Sequence, residues 1–331
     1  MSQVRKFVIY FVLKFSHLVK NPKISYLCRL QIKMDVTQTH KAGFVSIVGR
    51  PNAGKSTLMN CLVGERLSII TPKAQTTRHR VMGIINDPEF QIVYSDTPGV
   101  IEAKYELQKS MMRFVDFSLE DADMILWVMD VTDKEDHSLV LQRLANVEVP
   151  VLLVLNKVDL SKQEDMDALI EKWKVEFPKA DSILAVSALT SFNADMVLKW
   201  VLMHLPVHPA YYDKDALTDK PERFFASEIF REKIFKNYSK EIPYSSEVII
   251  ESFKDQKDLL RIQAVVVVER DSQKGIIIGQ GGEALKRTAT QARKSMEEFF
   301  GKKVFLETFV KVEPDWRNKE YHLRQFGYKL D

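Results

Sequence analysis

A chain of 331 residues is long enough for about two domains, each with its own core. Its 45% apolar and 28% charged residues are those of a globular protein, and two cysteines, Cys28 and Cys61, with no C-x-x-C spacing argue against a disulfide framework or a Cys/His zinc site. The net charge of +3 is uneven: residues 1–40 hold seven basic groups against one acidic, 41–220 hold 20 against 26, and 221–331 hold 21 against 18. The basic C-terminal part permits nucleic-acid binding.

Residues 1–40 read as an uninterpreted basic extension. The apolar run at 7–13 is too short to cross a bilayer and ends at Lys14, and no small-x-small cleavage pattern follows Arg5 and Lys6. The first reading is an optional extension or a start-codon artefact, with Met34 a candidate start, and a basic segment lying peripherally at the inner face of the cell membrane is the second.

The next part, 41–206, carries motifs in a fixed order. An apolar strand at 44–48 leads into Gly49-Arg50-Pro51-Asn52-Ala53-Gly54-Lys55-Ser56, followed by Thr57 and a helix over 57–63. This G-x-x-x-x-G-K-S loop between strand and helix is a phosphate cradle: glycines let backbone N–H groups wrap the β-phosphate, Lys55 reaches the β/γ oxygens and the Ser56 hydroxyl can hold Mg²⁺. Thr76-Thr77, in a polar stretch, forms a switch segment that closes over Mg²⁺ when the γ-phosphate is present. After a strand at 90–95, Asp96-Thr97-Pro98-Gly99 offers a carboxylate to a Mg²⁺ water and the Gly99 amide to the γ-phosphate. A strand at 151–155 ends in Asn156-Lys157-Val158-Asp159, at the edge of the sheet where ligands bind. The Asp159 carboxylate can accept from N1–H and the 2-amino group of guanine, neither of which adenine offers; a pocket built on such a bond rejects the wrong analogue by a factor on the order of 10⁴ to 10⁵. Lys157 lays its stem along the purine, Asn156 ties the loop back to the phosphate cradle, and Ser187-Ala188, after a strand at 183–186, offers backbone amides to the guanine carbonyl. The expected ligands are GTP and GDP with Mg²⁺.

These residues, with Pro51-Asn52 inside the cradle and Gln75-Thr76-Thr77-Arg78 in the switch, resemble the translation-factor-related GTPases. Val100 stands where Ras-type enzymes place the glutamine that orients water, so the resemblance implies slow intrinsic turnover that rises when a partner or ion completes the site. Several relatives with Asn at the position of Asn52 use a monovalent cation, which makes K⁺ a candidate ligand there.

Leu205-Pro206 closes this region, and 207–221 reads as a linker. Over 222–331 the expected order is helix (222–238), strand (247–253), strand (259–269), a glycine-rich segment, a long helix and a strand (303–312): αββααβ, an α+β arrangement. Gly279-Gln280-Gly281-Gly282 forms a G-x-x-G loop that can approach a sugar-phosphate backbone, flanked by Lys274, Lys286 and Arg287. Behind it Leu285, Ala289, Ala292, Met296 and Phe299 recur at helical spacing as core, leaving Lys286, Arg287, Arg293 and Lys294 exposed. G-x-x-G alone is a common turn before a helix; its place in this order makes it a clamp for single-stranded RNA.

An α/β P-loop GTPase domain, with a mostly parallel sheet covered by helices on both faces, followed by an α+β type II KH domain resembles the Era family of bacterial ribosome-assembly GTPases. The likeness includes Ala226-Ser227-Glu228-Ile229, Arg231-Glu232-Lys233 and Val268-Glu269-Arg270. It implies a cytoplasmic monomer that binds 16S rRNA near its 3′ end, not DNA, and helps the small ribosomal subunit to mature. The alternative is a regulatory GTPase whose C-terminal domain binds a protein or the membrane surface.

Overall fold

A computed structural model describes residues 40–328; the basic extension and the Met34 start lie outside the described residues, apart from His40. The first half is a six-stranded sheet in the order β2-β3-β1-β4-β5-β6. Its strands are β1 (Lys41–Val48), β2 (Val81–Asn86), β3 (Phe90–Asp96), β4 (Met124–Asp130), β5 (Val151–Asn156) and β6 (Ser182–Val186). Only β2 runs antiparallel to its neighbour, β3. The buried strands read as continuous apolar runs because both faces are covered. Helices α1 (Lys55–Val63) and α5 (Ala194–His204) bring Leu58, Met59, Val197 and Trp200 to one face. On the other, α2 (Glu106–Glu120), α3 (Ser138–Leu144) and α4 (Gln163–Glu176) contribute Leu107, Met111, Val140 and Trp173. Strand order reverses between β1 and β4, and the carboxyl edge beside that switch point carries the phosphate loop.

Trp127, fully buried on β4, pairs in register with Val48, the last residue before the phosphate loop. Its ring lies edge-on to Trp173 (centroids 5.1 Å apart) and Phe177 (5.0 Å), holding α4 against the sheet.

Residues 207–221 contain neither helix nor strand, yet they are pinned to the sheet edge. The Ile84 amide on β2 donates to Leu217 carbonyl at 2.9 Å, and Gln91 binds the Tyr211 and Tyr212 amides at 2.7 and 3.0 Å. An exposed strand edge is thereby blunted.

The second half follows the predicted αββααβ order. Helix α6 (Glu222–Asn237), a short turn α7 (Ile242–Ser245), β7 (Glu247–Gln256), β8 (Leu259–Val268), α8 (Asp271–Ile278), α9 (Glu283–Phe300) and β9 (Lys303–Val312) are followed by α10 (Glu320–Gln325). β8 is central, antiparallel to β7 and parallel to β9. Phe230 and Ile234 of α6 meet Ala292 and Met296 of α9 over the inner face of this sheet. The expected stripe on α9 needs two corrections. Leu285 and Ala289 are only partly buried and Phe299 is exposed, stacked on Phe225 at 5.2 Å, while polar Thr288 is fully buried. Arg293, expected to be exposed, is half-buried and paired with Glu297 at 2.8 Å, because the two stand one turn apart.

On the outer face of the small sheet, Val265 and Val267 of β8, with Trp316, Leu323 and Tyr328, join the apolar cluster that contains Leu107 and Met111 of α2. The two halves therefore share a core. Among the described residues no helix is long and apolar enough to cross a membrane.

Trp127→Ala should cost about 3–5 kcal/mol of stability, the range for removing a buried aromatic ring. Urea denaturation measures it; a midpoint no lower than that of Val175→Ala, at an 81% exposed position, would remove the ring cluster from the list of stabilising contacts.

Candidate functional site: a phosphate and base cleft with a distant glycine clamp

β1 ends by delivering the chain into a loop whose turns require glycine at two positions, Gly49 and Gly54. Gly49 has φ 151°, and a Cβ there would meet the Val128 carbonyl oxygen at 2.1 Å. Gly54 has φ 95°, and its Cβ would meet Asn156 Nδ2 at 2.2 Å. Gly99 approaches the Pro51 nitrogen so closely that a Cβ would sit 2.6 Å away. The result is a cleft of about 580 Å³ lined by Asn52, Gly54, Lys55, Thr57, Thr77 and Gly99, with Asp130 and Lys157 at its other end.

Lys55 is 6% exposed and donates to the carbonyls of Gly49 (3.2 Å) and Arg50 (2.9 Å). Burial pushes its pKa down to about 8, against the pull of nearby Asp96. An anion in the cleft would give this ammonium a counter-charge and raise its pKa again. Asp96 is fully buried; Oδ2 accepts from Ser56 Oγ at 2.6 Å and, more weakly, from Thr77 Oγ1 at 3.5 Å, while the two hydroxyls are 2.9 Å apart. Oδ1 is buried with no hydrogen-bond partner, and burial pushes this carboxyl up from its usual range. Two hydroxyls and one orphaned carboxylate oxygen fit a hard cation with oxygen ligands.

Asn156 is 2% exposed and uses both ends of its carboxamide. Nδ2 donates to the Ala53 carbonyl at 2.8 Å, the predicted tie to the cradle, and Oδ1 accepts from the Ala188 amide at 2.9 Å, a tie that the sequence reading missed. Lys157 adopts a left-handed backbone, φ 68°, and its ammonium bonds Asp130 at 2.6 Å. That bond fixes the stem beside the base end of the cleft. Asp159 is exposed in the single 3₁₀ turn Val158–Leu160.

Several predicted residues lie elsewhere than expected. Ser187 and Ala188 do not present free amides: the first donates to Phe192 carbonyl at 3.1 Å and the second to Asn156, because this loop folds back on itself and on β5. Arg50 turns its side chain away from the cradle to Asp133, Glu135 and the Asp136 carbonyl. Thr97 is fully buried and donates to Ile47 carbonyl at 2.7 Å, bracing β3 on β1, and Pro98 is buried behind it. Of the switch pair, Thr77 reaches the Ser56–Asp96 corner, whereas Thr76 Oγ1 bonds Thr71 and the Lys73 carbonyl in its own loop. Val100 is 2% exposed and contributes only its amide, donated to Gly49 carbonyl at 3.0 Å. Asn52 has φ 63° and is exposed on the cleft wall.

In the second half, Gly279 ends α8 with φ 73°, where a Cβ would strike Ala284 at 2.5 Å, and Gly281 and Gly282 also have positive φ, with open space outside them. Gln280 at the tip is exposed. Gln280, Lys286, Arg287, Thr290 and Gln291 line an open depression of about 660 Å³, and Lys274 stands half-buried on α8 before the loop. The Gly-capped N-terminus of α9 adds its dipole to these cations.

A family model described as a 50S ribosome-binding GTPase matches residues 44–157, and one described as a KH domain matches 241–317. The chain is 44% identical over 295 residues to the GTPase Era of Geotalea daltonii, covering 88% of this chain and 99% of that protein. It is 43% identical over 297 residues to a chloroplastic Era GTPase of Zea mays, covering 87% and 71%. Among solved structures, Era in complex with MgGDPNP and nucleotides 1506–1542 of 16S ribosomal RNA superposes with a TM-score of 0.84 at 40% identity, over 88% of this chain and all of that one. Era of Aquifex aeolicus bound to GDP·AlF₄⁻ gives 0.84 at 39%, with the same coverage. The chain belongs to the Era family of GTPases.

Proposed function

We propose that this protein binds and hydrolyses GTP and grips single-stranded rRNA near the 3′ end of 16S rRNA, assisting maturation of the small ribosomal subunit in the cytoplasm. The domain limits we assign are 41–206 for the GTPase half, 207–221 for the linker and 222–331 for the KH half. The observation that carries the reading is Asn156: its carboxamide joins the phosphate cradle to the loop bearing Asp159, in a chain that also presents a G-x-x-G clamp. Similarity to Era with bound MgGDPNP and 16S rRNA supports both ligands.

Within this reading the cradle amides and Lys55 surround the β- and γ-phosphates, and Gly99 meets the γ-phosphate. Ser56, Thr77 and Asp96 would hold Mg²⁺, which supplies neutralisation of charge on the phosphate oxygens when bound. The chain's own part is a fixed electrostatic frame that needs no rearrangement as charge develops. Asp159 selects guanine. Asp159→Asn should reverse that choice in favour of xanthine nucleotides, read by competition for fluorescent nucleotide; wild-type protein that binds ATP as firmly as GTP would overturn the functional assignment.

Asn52 is proposed to contribute to a K⁺ site beside the phosphates, because its left-handed backbone places it exposed on the cleft wall. Turnover should fall when Na⁺ replaces K⁺ at constant ionic strength, and equal rates would dismiss the site.

RNA contacts are assigned to Gly279, Gln280, Gly281, Gly282, Lys274, Lys286 and Arg287. Binding of single-stranded RNA should weaken with salt at a log-log slope of about −0.7 per phosphate neutralised. Replacing both Lys286 and Arg287 with Gln should make the slope shallower by about 1.4. A flat salt response in wild-type protein would point instead to a protein partner.

A further inference from the structure

The segment that brings Thr77 to the phosphate corner is fastened to the RNA-binding half at Lys73, Thr76 and Arg78. Arg231 of α6, fully buried, donates through Nη2 to the Thr76 carbonyl at 2.5 Å and to Glu228, which also accepts from Nε at 2.7 Å. Arg78, also fully buried, donates to the Pro243 and Ser246 carbonyls, both at 2.9 Å, and to Glu247 at 3.0 Å. Lys73, on the wall of the nucleotide cleft, donates to the carbonyls of Phe235 and Tyr238 at the C-terminus of α6, where a cation is favoured by the helix dipole.

Tyr238 continues this line toward the clamp. It is 7% exposed, and its hydroxyl donates to the Ile277 carbonyl at 2.8 Å, two residues before Gly279. The same hydroxyl lies 3.3 Å from Thr288 Oγ1, on the helix that leaves the clamp, and shares the proton that Thr288 also directs to the Ala284 carbonyl at 2.9 Å. Beside it Asn237 reaches Thr288 (3.1 Å) and Gln291 (2.8 Å), the latter lining the depression next to the clamp. One residue thus touches the switch with its carbonyl and both helices of the clamp with its hydroxyl.

We infer that Tyr238 is a positioning residue that couples the two ligand sites, its carbonyl following Lys73 and its hydroxyl setting the angle between α8 and α9. The inference rests on the GTPase and RNA reading above and names how that pair of sites is regulated. When the switch closes on a γ-phosphate, Lys73 holds the end of α6 in the position at which the Tyr238 hydroxyl aligns the clamp. When the switch releases, that alignment loses its support. Linkage requires that RNA raise affinity for the triphosphate by the same factor as the triphosphate raises affinity for RNA.

The test uses the whole chain, an RNA of 16S nucleotides 1506–1542, and saturating GDPNP with Mg²⁺ or GDP with Mg²⁺. Tyr238→Phe keeps the ring and removes only the hydroxyl; Thr288→Val, which removes the second contact, provides an independent variant. Wild type should bind RNA more tightly with GDPNP than with GDP. In Tyr238→Phe that ratio should fall by about 2- to 10-fold, the worth of one buried hydrogen bond, with GDPNP affinity in the absence of RNA unchanged. Thr288→Val should shift it in the same direction. A ratio equal to wild type in both variants, or RNA affinity lost equally in both nucleotide states, overturns the coupling role. If wild type binds RNA and GTP but with no nucleotide dependence, the coupling is wrong and the functional reading stands; if it binds neither guanine nucleotide nor RNA, the functional reading itself fails.

Discussion

The carboxamide of Asn156 is the constraint on which the ligand cleft depends. An amide side chain has separate donor and acceptor ends, and here each is buried and spent: one on the phosphate cradle, the other on the loop after β6. Removing it would leave a buried carbonyl and a buried N–H without partners, each costing about 1–3 kcal/mol. The geometry reaches back into the cradle, because Gly54 must lack a Cβ for Nδ2 to approach. Gly54, which the proposed phosphate cradle needs for its turn, is thus needed a second time, for the packing of Asn156 that ties the loop after β5 to that cradle.

A different balance governs the junction of the halves. Separate domains joined by a linker are expected to move unless their interface is large and apolar. Here β8 and the segment after β9 contribute Val265, Val267 and Trp316 to a core shared with α2. Set into it are two guanidinium groups, each with two of its three nitrogens bonded to oxygen, which offsets part of their desolvation, while Arg78 Nε and Arg231 Nη1 are buried without a partner. Burial alone would raise the Glu247 carboxyl; the charges of Arg78 and Arg231 outweigh it and hold it below the usual carboxylate range. His79, stacked on Tyr328 at 4.2 Å, is pushed down to about 3 by burial and stays neutral there. Ion pairs of this kind contribute geometry more than stability. They fix which backbone atoms of the switch face which carbonyls of α6 and the α7 turn.

What the sequence disclosed follows the range of the interactions. The phosphate loop, the Asp96 and Asn156 motifs, the αββααβ order and the G-x-x-G turn are short runs whose spacing states their own geometry, and their elements lie where the periodicity predicts. Thr76 and Thr77 could not be told apart, since which hydroxyl faces the cleft depends on Arg231 holding a carbonyl 155 residues away in the chain. Membership of the cradle said nothing about the Arg50 side chain, which an acidic loop captures. Counting apolar residues on α9 selected Phe299 and passed over Thr288, because a hydroxyl that bonds the preceding turn at Ala284 and a tyrosine 50 residues back can be buried as well as any methyl group. Tyr238 had no motif to mark it.

Val100 shows how the same frame limits the chemistry. A buried valine packed with Leu107 and Met111 can neither accept a proton from water nor orient it, and its amide is already given to Gly49. The groups that line this end of the cleft are amide dipoles, Lys55, two hydroxyls and one carboxylate, and all but the Thr77 hydroxyl stand on the loop after β1, the start of α1, or on and just after β3. Such a set stabilises charge without activating a nucleophile, so intrinsic hydrolysis by this site is expected to be slow. Thr77 alone of these groups stands on the segment that is held from the KH half through Arg78 and Arg231. A slow hydrolase whose switch segment is anchored on its KH half through Arg78 and Arg231 is suited to timing rather than turnover.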